Sequence, residues 1–332
     1  FGTGDKYFGV ATLMATLPGL PMLGHGQIEG LEEKYGMEFQ RPRWEESPNE
    51  GLVWRHDLQL FPLLRRRRDF AEVDRFLLYD FVVEDGAVDE NVFAYSNDFD
   101  GRRSLVVFHN RYGDTRGRIR ISTPVAEGSS DEDRRLVQRS LAEGLRLHED
   151  EGWIVCRDAV TGLEHLFSCG AIRNNGLDLE LGAYRLHCFV DFLEVVEDED
   201  HPYALLASEI GDGGVASVET AVRMLAAAPL LDPVRRLLSK NVLLSLASRS
   251  DGAADDFREI ASSAVGEFLA AAVERDSSVG EATMLEAAIL SDFESLLMLA
   301  EIGARDESEK GGPDSGGGEL EQAALWATFL LW

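Results

Sequence analysis

The chain has 332 residues, of which 45% are hydrophobic, and a formal net charge of −28. This length and apolar content allow two or three domains with buried cores and exclude a chain that is disordered throughout. The acidity argues against nucleic acid and anionic membrane as partners, because binding to phosphate groups requires a basic surface. It is compatible with a neutral ligand such as a sugar.

The cysteines and the apolar runs bear on the compartment. Cys156, Cys169 and Cys188 are too few and too scattered for a disulfide framework, and we interpret them as reduced core residues. This favours a cytoplasmic location. Because the chain begins at Phe1 without a methionine, it carries no information about a signal peptide. The longest apolar stretches contain Asp, Glu or Arg, so we predict no membrane span.

The first part of the chain reads as helix, strand, loop and helix. Residues 5–17 are apolar on nearly all sides and predict a helix that a Pro-Gly pair ends. Residues 20–23 predict a short buried parallel strand, and the polar cluster 25–30 follows it. One unit of an α/β barrel or doubly wound sheet has this order, and both folds place ligands at the carboxyl ends of strands. Residues 52–68 predict an amphipathic helix with four arginines in its basic last turn, which we expect to make outward salt bridges.

The remainder of the chain separates into a strand-rich part and a helical part. Residues 69–200 alternate strand-like runs with Asp-, Gly- and Asn-rich turns, which predicts an antiparallel β-sandwich. A capped helix is predicted inside it, near 130–147. Residues 201–303 predict a helical extension, 304–319 a flexible charged linker, and 320–332 the start of a further helix. The predicted fold class is therefore multi-domain α+β.

The glycine-rich segment between the first two predicted helices carries a family resemblance. Its sequence, TLPGLPMLGHGQIEG, resembles the last barrel strand of the α-amylase superfamily, glycoside hydrolase family thirteen. That strand has the pattern Gly-x-Pro-x-aliphatic-x-x-Gly-x-Glu. Four of its residues match as written: Gly19, Pro21, Leu23 and Gly26. The acid falls one place late, at Glu29, and Gln27 takes the first polar position.

Segments further along the chain agree with this resemblance in their order. HDLQLFPLLRRRRDF is similar to the family's eighth helix, which leads into its C-terminal β domain. NVFAYSND and RSLVVFHNRY look like central strands of that domain, and GAYRLHCFVDF looks like its closing strand. The resemblance covers residues 1–196. It implies that residues 1–68 are the last strand and helix of a (β/α)8 TIM barrel. A single strand–helix unit cannot close a barrel, so we expect these residues to lack support or to lean on the β domain.

The resemblance also implies an activity. Members of the family are retaining glycosidases or glucanotransferases that act on α-glucosidic bonds, so the implied partner is an α-glucan or oligosaccharide. The family's three catalytic carboxylates follow barrel strands four, five and seven, which would all precede Phe1. We therefore expect no catalytic residue in this chain and no turnover by it alone. The alternative is a non-catalytic carbohydrate-binding or scaffold protein descended from such an enzyme. We expect no cofactor here; calcium is compatible with the whole enzyme, but no calcium-loop motif occurs in this chain.

Five residues are candidates for contact with the sugar. His25, Gln27 and Glu29 alternate along an extended segment, so they could point one way and meet glucan hydroxyl groups. Tyr35 and Trp44 in the following loop are candidate platforms for a pyranose ring. The alternative is that the polar trio caps the barrel rim and that the aromatic residues pin the loop to the body of the protein.

The histidines and the C-terminal helices receive structural interpretations. His56 and Asp57 are neighbours on a predicted helix and do not face each other, so we interpret them as a surface polar pair. The other histidines considered are isolated and lack metal-ligand spacing: His148, His165, His187 and His201. The wide apolar faces of the C-terminal helices predict a homo-oligomer or a docking module.

Overall fold

The computed structural model describes residues 4–33, 41–128, 134–248, 253–275 and 284–295. Its Cα positions divide the chain into two compact units, Phe1–Arg223 and Met224–Trp332. The domain boundaries predicted from the sequence, after residues 68, 200, 303 and 319, stay a prediction. Among the described residues, no helix is both long enough and apolar enough to cross a bilayer.

Helices frame an antiparallel sheet in the first unit, so the chain is an α+β protein. The helical elements are α1 Asp5–Thr16, α2 Glu50–Arg55, a π-helical turn His56–Leu60, α3 Phe61–Arg65, a 3₁₀ turn Arg67–Phe70, α4 Leu141–Gly144, α5 Cys169–Asn175, α6 Tyr203–Ile210, α7 Val218–Leu237, α8 Lys240–Ser248 and α9 Ala253–Arg275. The strands are β1 Leu77–Val83, β2 Val92–Phe99, β3 Arg102–His109, β4 Thr115–Ser122, β5 Val125–Glu127, β6 Arg135–Val137, β7 Trp153–Asp158, β8 Glu164–Ser168, β9 Leu177–Leu181 and β10 Leu186–Val195.

Eight strands form one continuous sheet in the order β8-β7-β10-β3-β2-β1-β4-β9, and every neighbouring pair is antiparallel. Strands β5 and β6 form a separate pair. The two edge strands of the large sheet, β8 and β9, line one common cleft, so the sheet is curled. The predicted antiparallel strands are confirmed, but they are continuous in one sheet, whereas the sequence analysis predicted a sandwich.

Strict alternation of side chains gives this sheet two buried faces. We call the core on the face that carries α4 and α5 the inner core, and the core on the face that carries α1 the outer core. On β3, Leu105 and Val107 belong to the inner core, whereas Val106 and Phe108 belong to the outer core. Helices α4 and α5 contribute Leu141 and other residues to the inner core. The outer core receives side chains of α1 and of the helix around residues 60–63. Each fully buried Leu or Phe of these cores stabilises the fold by roughly 1.5–3 kcal/mol.

The N-terminal residues pack on the antiparallel sheet. Of the two outcomes expected for residues 1–68, lack of support or packing on the β domain, the second is observed. Ala11 and Ala15 of α1 are buried in the outer core. The strand predicted at residues 20–23 does not form: these residues are not in a strand, and Leu20 and Met22 are 90% and 78% exposed. Two prolines nearby remove backbone donors, and no described strand pairs with this segment.

Two of the four arginines at residues 65–68 bind polar groups of the protein itself. Arg66 donates to Asp69 at 3.0 Å and to both carboxylate oxygens of Asp191 at 3.0 and 2.7 Å. Arg67 donates to the carbonyl oxygens of Leu17 and Gly19, and burial lowers its pKa. The expected outward salt bridges are therefore wrong for Arg67, whose guanidinium secures the chain that leaves α1.

Of the helix predicted near 130–147, the described residues show only a short part, at Leu141–Gly144. Residues 135–137 form β6, which pairs with β5. Helix α4 is only four residues long, and its N-cap is Ser140. Ser140 and Glu143 make a capping box, which fixes the start of this helix ten residues later than predicted from the sequence.

The second unit is helical in its described residues. Its core contains Leu237, Phe257, Ala261 and Ala264, against which Phe293 packs. The predicted linker and final helix, residues 304–332, lie outside the described residues. The oligomerisation or docking role of these helices stays a prediction.

Glu194 on β10 provides a prediction about pH. Its carboxylate accepts hydrogen bonds from Arg103 at 2.7 Å and from the backbone N–H groups of His148 at 2.7 Å and Glu149 at 2.9 Å. Burial would raise its pKa, but these donors outweigh burial and lower the pKa from 4.5 to about 2. A depressed carboxyl pKa stabilises the fold above the unfolded value and loses that contribution as the pH falls towards the folded one.

We therefore expect the stability difference between the native chain and Glu194→Gln to be full above pH 4.5 and to shrink as the pH falls towards about 2. Urea unfolding at a series of pH values measures it. The exposed Glu197→Gln serves as the control, since Glu197 receives only an indole hydrogen bond, from Trp153 at 3.2 Å. A difference that is constant across this range would contradict the prediction.

Candidate functional site

The glycine-rich segment forms a turn that bridges α1 and α2. Residues 25–30 are in turn conformation, and the N–H of Leu31 donates to the carbonyl of Gly26 at 2.8 Å. Gly26 has a φ of 71°, in the left-handed region that favours glycine. The N–H of Asn49, the N-cap of α2, donates to the carbonyl of Glu29 at 2.8 Å. The loop is thereby held at the start of the second helix.

A chain of hydrogen bonds runs through this loop to both helices. The N–H of Gly24 donates to Gln27 Oε1 at 2.9 Å, and Gln27 Nε2 donates to the Tyr7 hydroxyl at 3.1 Å. That hydroxyl lies 2.7 Å from His56 Nε2, and His56 Nδ1 lies 2.8 Å from the carbonyl of Leu52. A carbonyl only accepts, so Nδ1 carries the proton and Nε2 accepts from Tyr7. The amide of Gln27 is thus used inside the protein.

His56 is not part of a surface polar pair, which corrects the sequence interpretation. Its side chain is fully buried, whereas Asp57 is exposed. The imidazole packs beside the rings of Tyr7 at 5.5 Å and Phe8 at 5.1 Å. Two adjacent positions on a helix face different directions, and the packing of α1 on the π-helical turn His56–Leu60 selects His56 for the interior.

The other predicted sugar-contacting residues lie in different surroundings. His25 is exposed and Glu29 is half-buried. Trp44 is 54% exposed, and its side chain hydrogen-bonds Glu46, whose carboxylate also accepts from two backbone N–H groups, at 2.7 and 2.8 Å. These hydrogen bonds lower the pKa of Glu46. Tyr35 lies outside the described residues.

Removing the Tyr7 hydroxyl tests the hydrogen-bonded chain. We expect Tyr7→Phe to destabilise the first unit by about 1–2 kcal/mol, because buried His56 loses its hydrogen-bond donor. Faster hydrogen exchange at residues 24–31 should accompany this loss, since Gln27 also loses its partner. Mass spectrometry of exchanged peptides measures both helices and the loop. Tyr112→Phe is the control, since Tyr112 is 82% exposed, and equal effects of the two changes would contradict the assignment.

A separate cleft opens where the edges of the curled sheet approach each other. Its volume is about 510 Å³. Strands β8, β9 and β10 form it together with residues 161–163, 182–185 and 212–214. None of the described predicted site residues lines it.

Two histidines and two phenylalanines form the floor of this cleft. His165 and Phe167 come from β8, and His187 and Phe189 come from β10. The rings of His187 and Phe189 are stacked with centroids 5.2 Å apart, and those of His165 and Phe167 are stacked at 6.0 Å. The two imidazole centroids lie 6.1 Å apart. Each histidine is 6% exposed, so only an edge of each ring reaches the cleft.

A buried carboxylate orients His187 from behind. Asp158 is completely buried and accepts from the backbone N–H groups of Val160 and Cys188, both at 3.0 Å. Its Oδ2 lies 3.1 Å from His187 Nδ1, and Arg185 Nε donates to His187 Nε2 at 3.3 Å. Because Arg185 only donates, Nε2 is the acceptor and Nδ1 holds the proton that faces Asp158. Burial raises the pKa of Asp158, but the hydrogen bonds outweigh it, so its pKa lies below the ordinary value.

His165, also on the floor, lies against the wall that residues 212–214 form. Burial is the main reason that its pKa is lowered, so the neutral ring is favoured. It hydrogen-bonds the backbone of Asp212, and Gly214 lies against its ring. A Cβ at Gly214 would be 2.8 Å from the Cβ of Leu163 and 2.9 Å from His165 Nε2. Glycine therefore allows residue 214 to pack closely against Leu163 and His165.

The rim of the cleft is polar and mostly acidic. Asp114, Glu180 and Asp212 lie on it and are exposed, as is Arg185. Within the described parts of the chain, no group of three or more His, Cys, Asp or Glu residues lies so as to hold a metal ion. The arrangement can donate hydrogen bonds to a ligand, accept them from it, and pack against its apolar side.

The sequence interpretation missed this grouping because it treated His165 and His187 as isolated. They lie on two strands that flank β7, and the antiparallel pairing brings them together. One signal was present: both strands read His-x-Phe, at 165–167 and at 187–189, and residues two apart on a strand share a face. Comparison of the chain with protein-family models found no match, and comparison with curated proteins found none either.

Proposed function

We propose that this chain forms the C-terminal part of an α-amylase-like enzyme that acts on α-glucosidic bonds by hydrolysis or glucanosyl transfer. The observation that carries the proposal is the match of residues 19–26 to the family's last-strand pattern. In further support, this segment lies between two helical segments that pack on an antiparallel sheet, α1 and residues 50–65. Under this proposal residues 1–68 belong to the end of a catalytic barrel and the sheet belongs to the C-terminal β domain.

The proposal gives the residues of the loop different roles. The amide of Gln27 is occupied by Gly24 and Tyr7, so we assign it to holding the loop in position. His25 and Glu29 are assigned to contact with sugar hydroxyl groups, because neutral sugars are bound by such donors and acceptors. Tyr35 and Trp44 remain proposed platforms for a sugar ring. No catalytic carboxylate, metal or cofactor is assigned within this chain.

The coding sequence ahead of the codon for Phe1 tests the proposal most directly. We expect it to encode strands with Asp or Glu at their carboxyl ends, and we expect the product of the whole reading frame to cleave or transfer maltooligosaccharides. The 332-residue chain alone should show no turnover, since retaining chemistry requires two facing carboxylates. A whole product without turnover and without those acidic residues would refute the proposal.

A second candidate function is non-catalytic carbohydrate binding. The cleft favours it, because that site combines an aromatic floor with polar groups at its rim and lies far along the chain from the glycine-rich loop. Glucan binding by the whole product, without turnover, would favour this function over the enzyme.

Self-association through the C-terminal helices is proposed as well. Met284 is 69% exposed and Leu285 47%, although both are large apolar residues. Sedimentation of the chain over a range of concentrations tests this, and a monomer throughout would count against it.

A further inference from the structure

We propose that the cleft formed by β8, β9 and β10 binds a neutral polyhydroxyl ligand of one or two sugar rings, at a site separate from the glycine-rich loop. The ligand class follows from the chemistry of the cleft. The choice of a glucose-based probe rests on the proposed function. The size is compatible, since the cleft volume of about 510 Å³ lies within the range of roughly 300–1,000 Å³ typical of small-molecule sites.

The floor of the cleft supplies surfaces that suit the apolar side of a sugar ring. Phe167 is half-buried, and its ring stacks on His165 at an interplanar angle of 16°. Phe189 stacks on His187 at 7°. Phe189 is only 1% exposed, so a sugar ring would contact the exposed part of Phe167 and the edges of the two imidazole rings, which their neighbours hold in place at little cost in conformational entropy.

The charges around the cleft argue against an anionic ligand. Three carboxylates, those of Asp114, Glu180 and Asp212, stand at the rim beside the single guanidinium of Arg185. Burial lowers the pKa of His165, which favours its neutral form, so this ring contributes little positive charge. Phosphate or a carboxylate ligand would meet net repulsion at this rim.

A cationic ligand is disfavoured for a different reason. The carboxylate behind the floor, Asp158, already accepts from Val160, Cys188, Thr161 and His187, at distances of 3.0 to 3.2 Å. A cation in the cleft would therefore find only exposed carboxylates, and it would lie beside Arg185. Neutral hydroxyl groups can instead donate to the rim carboxylates and accept from Arg185.

Calorimetric titration of the 332-residue chain with maltose tests the proposal. We expect saturable binding that Glu180→Gln weakens about tenfold, since a hydrogen bond to a charged group is lost. Asp178→Asn is the matched control: it lies two positions earlier on β9, is also exposed, and does not line the cleft. The control should change the dissociation constant by less than about twofold.

A second variant tests the wall of the cleft. Gly214→Ala should weaken binding by at least about tenfold, because the added methyl group forces the Leu163 and His165 side chains to shift. Circular dichroism should show that each variant retains its secondary structure. If circular dichroism shows that Gly214→Ala has an altered fold, the result for Glu180→Gln alone decides the proposal.

The outcomes separate this inference from the proposed function. No saturable binding of maltose, or binding of phosphate or tetramethylammonium in its place, would overturn the inference and leave the activity of the whole product untouched. Binding that survives Glu180→Gln but is lost in Glu29→Gln would place the sugar at the glycine-rich loop. That result overturns the inference and supports the proposed function. Binding that is lost in Glu180→Gln and Gly214→Ala but kept in Asp178→Asn supports the cleft, even if the whole product turns over nothing.

Discussion

Replacing Asp158 with alanine is expected to destabilise the first unit by about 3–5 kcal/mol. The substitution removes the acceptor of two backbone N–H groups, those of Val160 and Cys188, and of the proton on His187 Nδ1. Asp158 is completely buried, and Cys188 and His187 are buried beside it, so the substitution leaves buried donors without their acceptor. Urea unfolding at pH 7, followed by circular dichroism, measures the loss.

Two further variants make the Asp158 prediction specific. Asp158→Asn keeps an oxygen for the backbone donors, but its amide faces His187 Nδ1 and pushes the ring proton to Nε2, which then opposes Arg185 Nε. We expect a smaller loss of stability, with a change in the histidine tautomer visible by NMR. Asp178→Ala, an exposed aspartate on β9, should cost less than about 1 kcal/mol. Equal losses for Asp158→Ala and Asp178→Ala would contradict the role of Asp158.

The Gly9→Ala substitution is expected to destabilise the first unit by about 2–4 kcal/mol. A Cβ at this position would lie 2.0 Å from Cε2 and 2.1 Å from Cζ of Phe108, whose ring is completely buried in β3. Alanine is the better helix former by about 1 kcal/mol, so the predicted sign is opposite to that of helix propensity. The free energy of unfolding from urea titration decides between the two effects.

A helical glycine without this contact provides the control. Gly51 in α2 is exposed, and a Cβ there would make only an ordinary contact, at 3.5 Å from Asn49 Oδ1. Gly51→Ala should therefore be neutral or stabilising by up to about 1 kcal/mol. Combining Gly9→Ala with Phe108→Leu should cost less than the sum of the two single changes, because the smaller side chain makes room for the methyl group. If the two single losses of stability added up in the double variant, residues 9 and 108 would not be in contact.

Arg67 illustrates how the glycine-rich loop depends on the helical segments around it. Its guanidinium donates to the carbonyls of Leu17 and Gly19, just before the loop begins. The hydrogen-bonded chain from Gln27 through Tyr7 to His56 holds the far side of the same segment. The position of the proposed sugar-contacting residues is thus set by side chains from both helical segments.

The sequence by itself determined the elements whose local signals agree with their burial. The helix predicted at 5–17 is observed at Asp5–Thr16, and the one predicted at 52–68 is observed at 50–65, with a π-helical turn inside. Strand-like runs such as RSLVVFHNRY became β3, because alternating and apolar residues fit a sheet buried on both faces. In these cases short-range periodicity and tertiary packing favour the same structure.

Only the tertiary structure decided the elements for which local signals were ambiguous. Residues 20–23 are apolar enough for a buried strand, but a strand requires a partner, and none of the described strands pairs with them. His56 was placed inside by the packing of α1, and His165 met His187 because β10 returns beside β7. The physical reason is common to all of these cases: burial and pairing depend on residues far away in the sequence, whereas periodicity reports only on near neighbours.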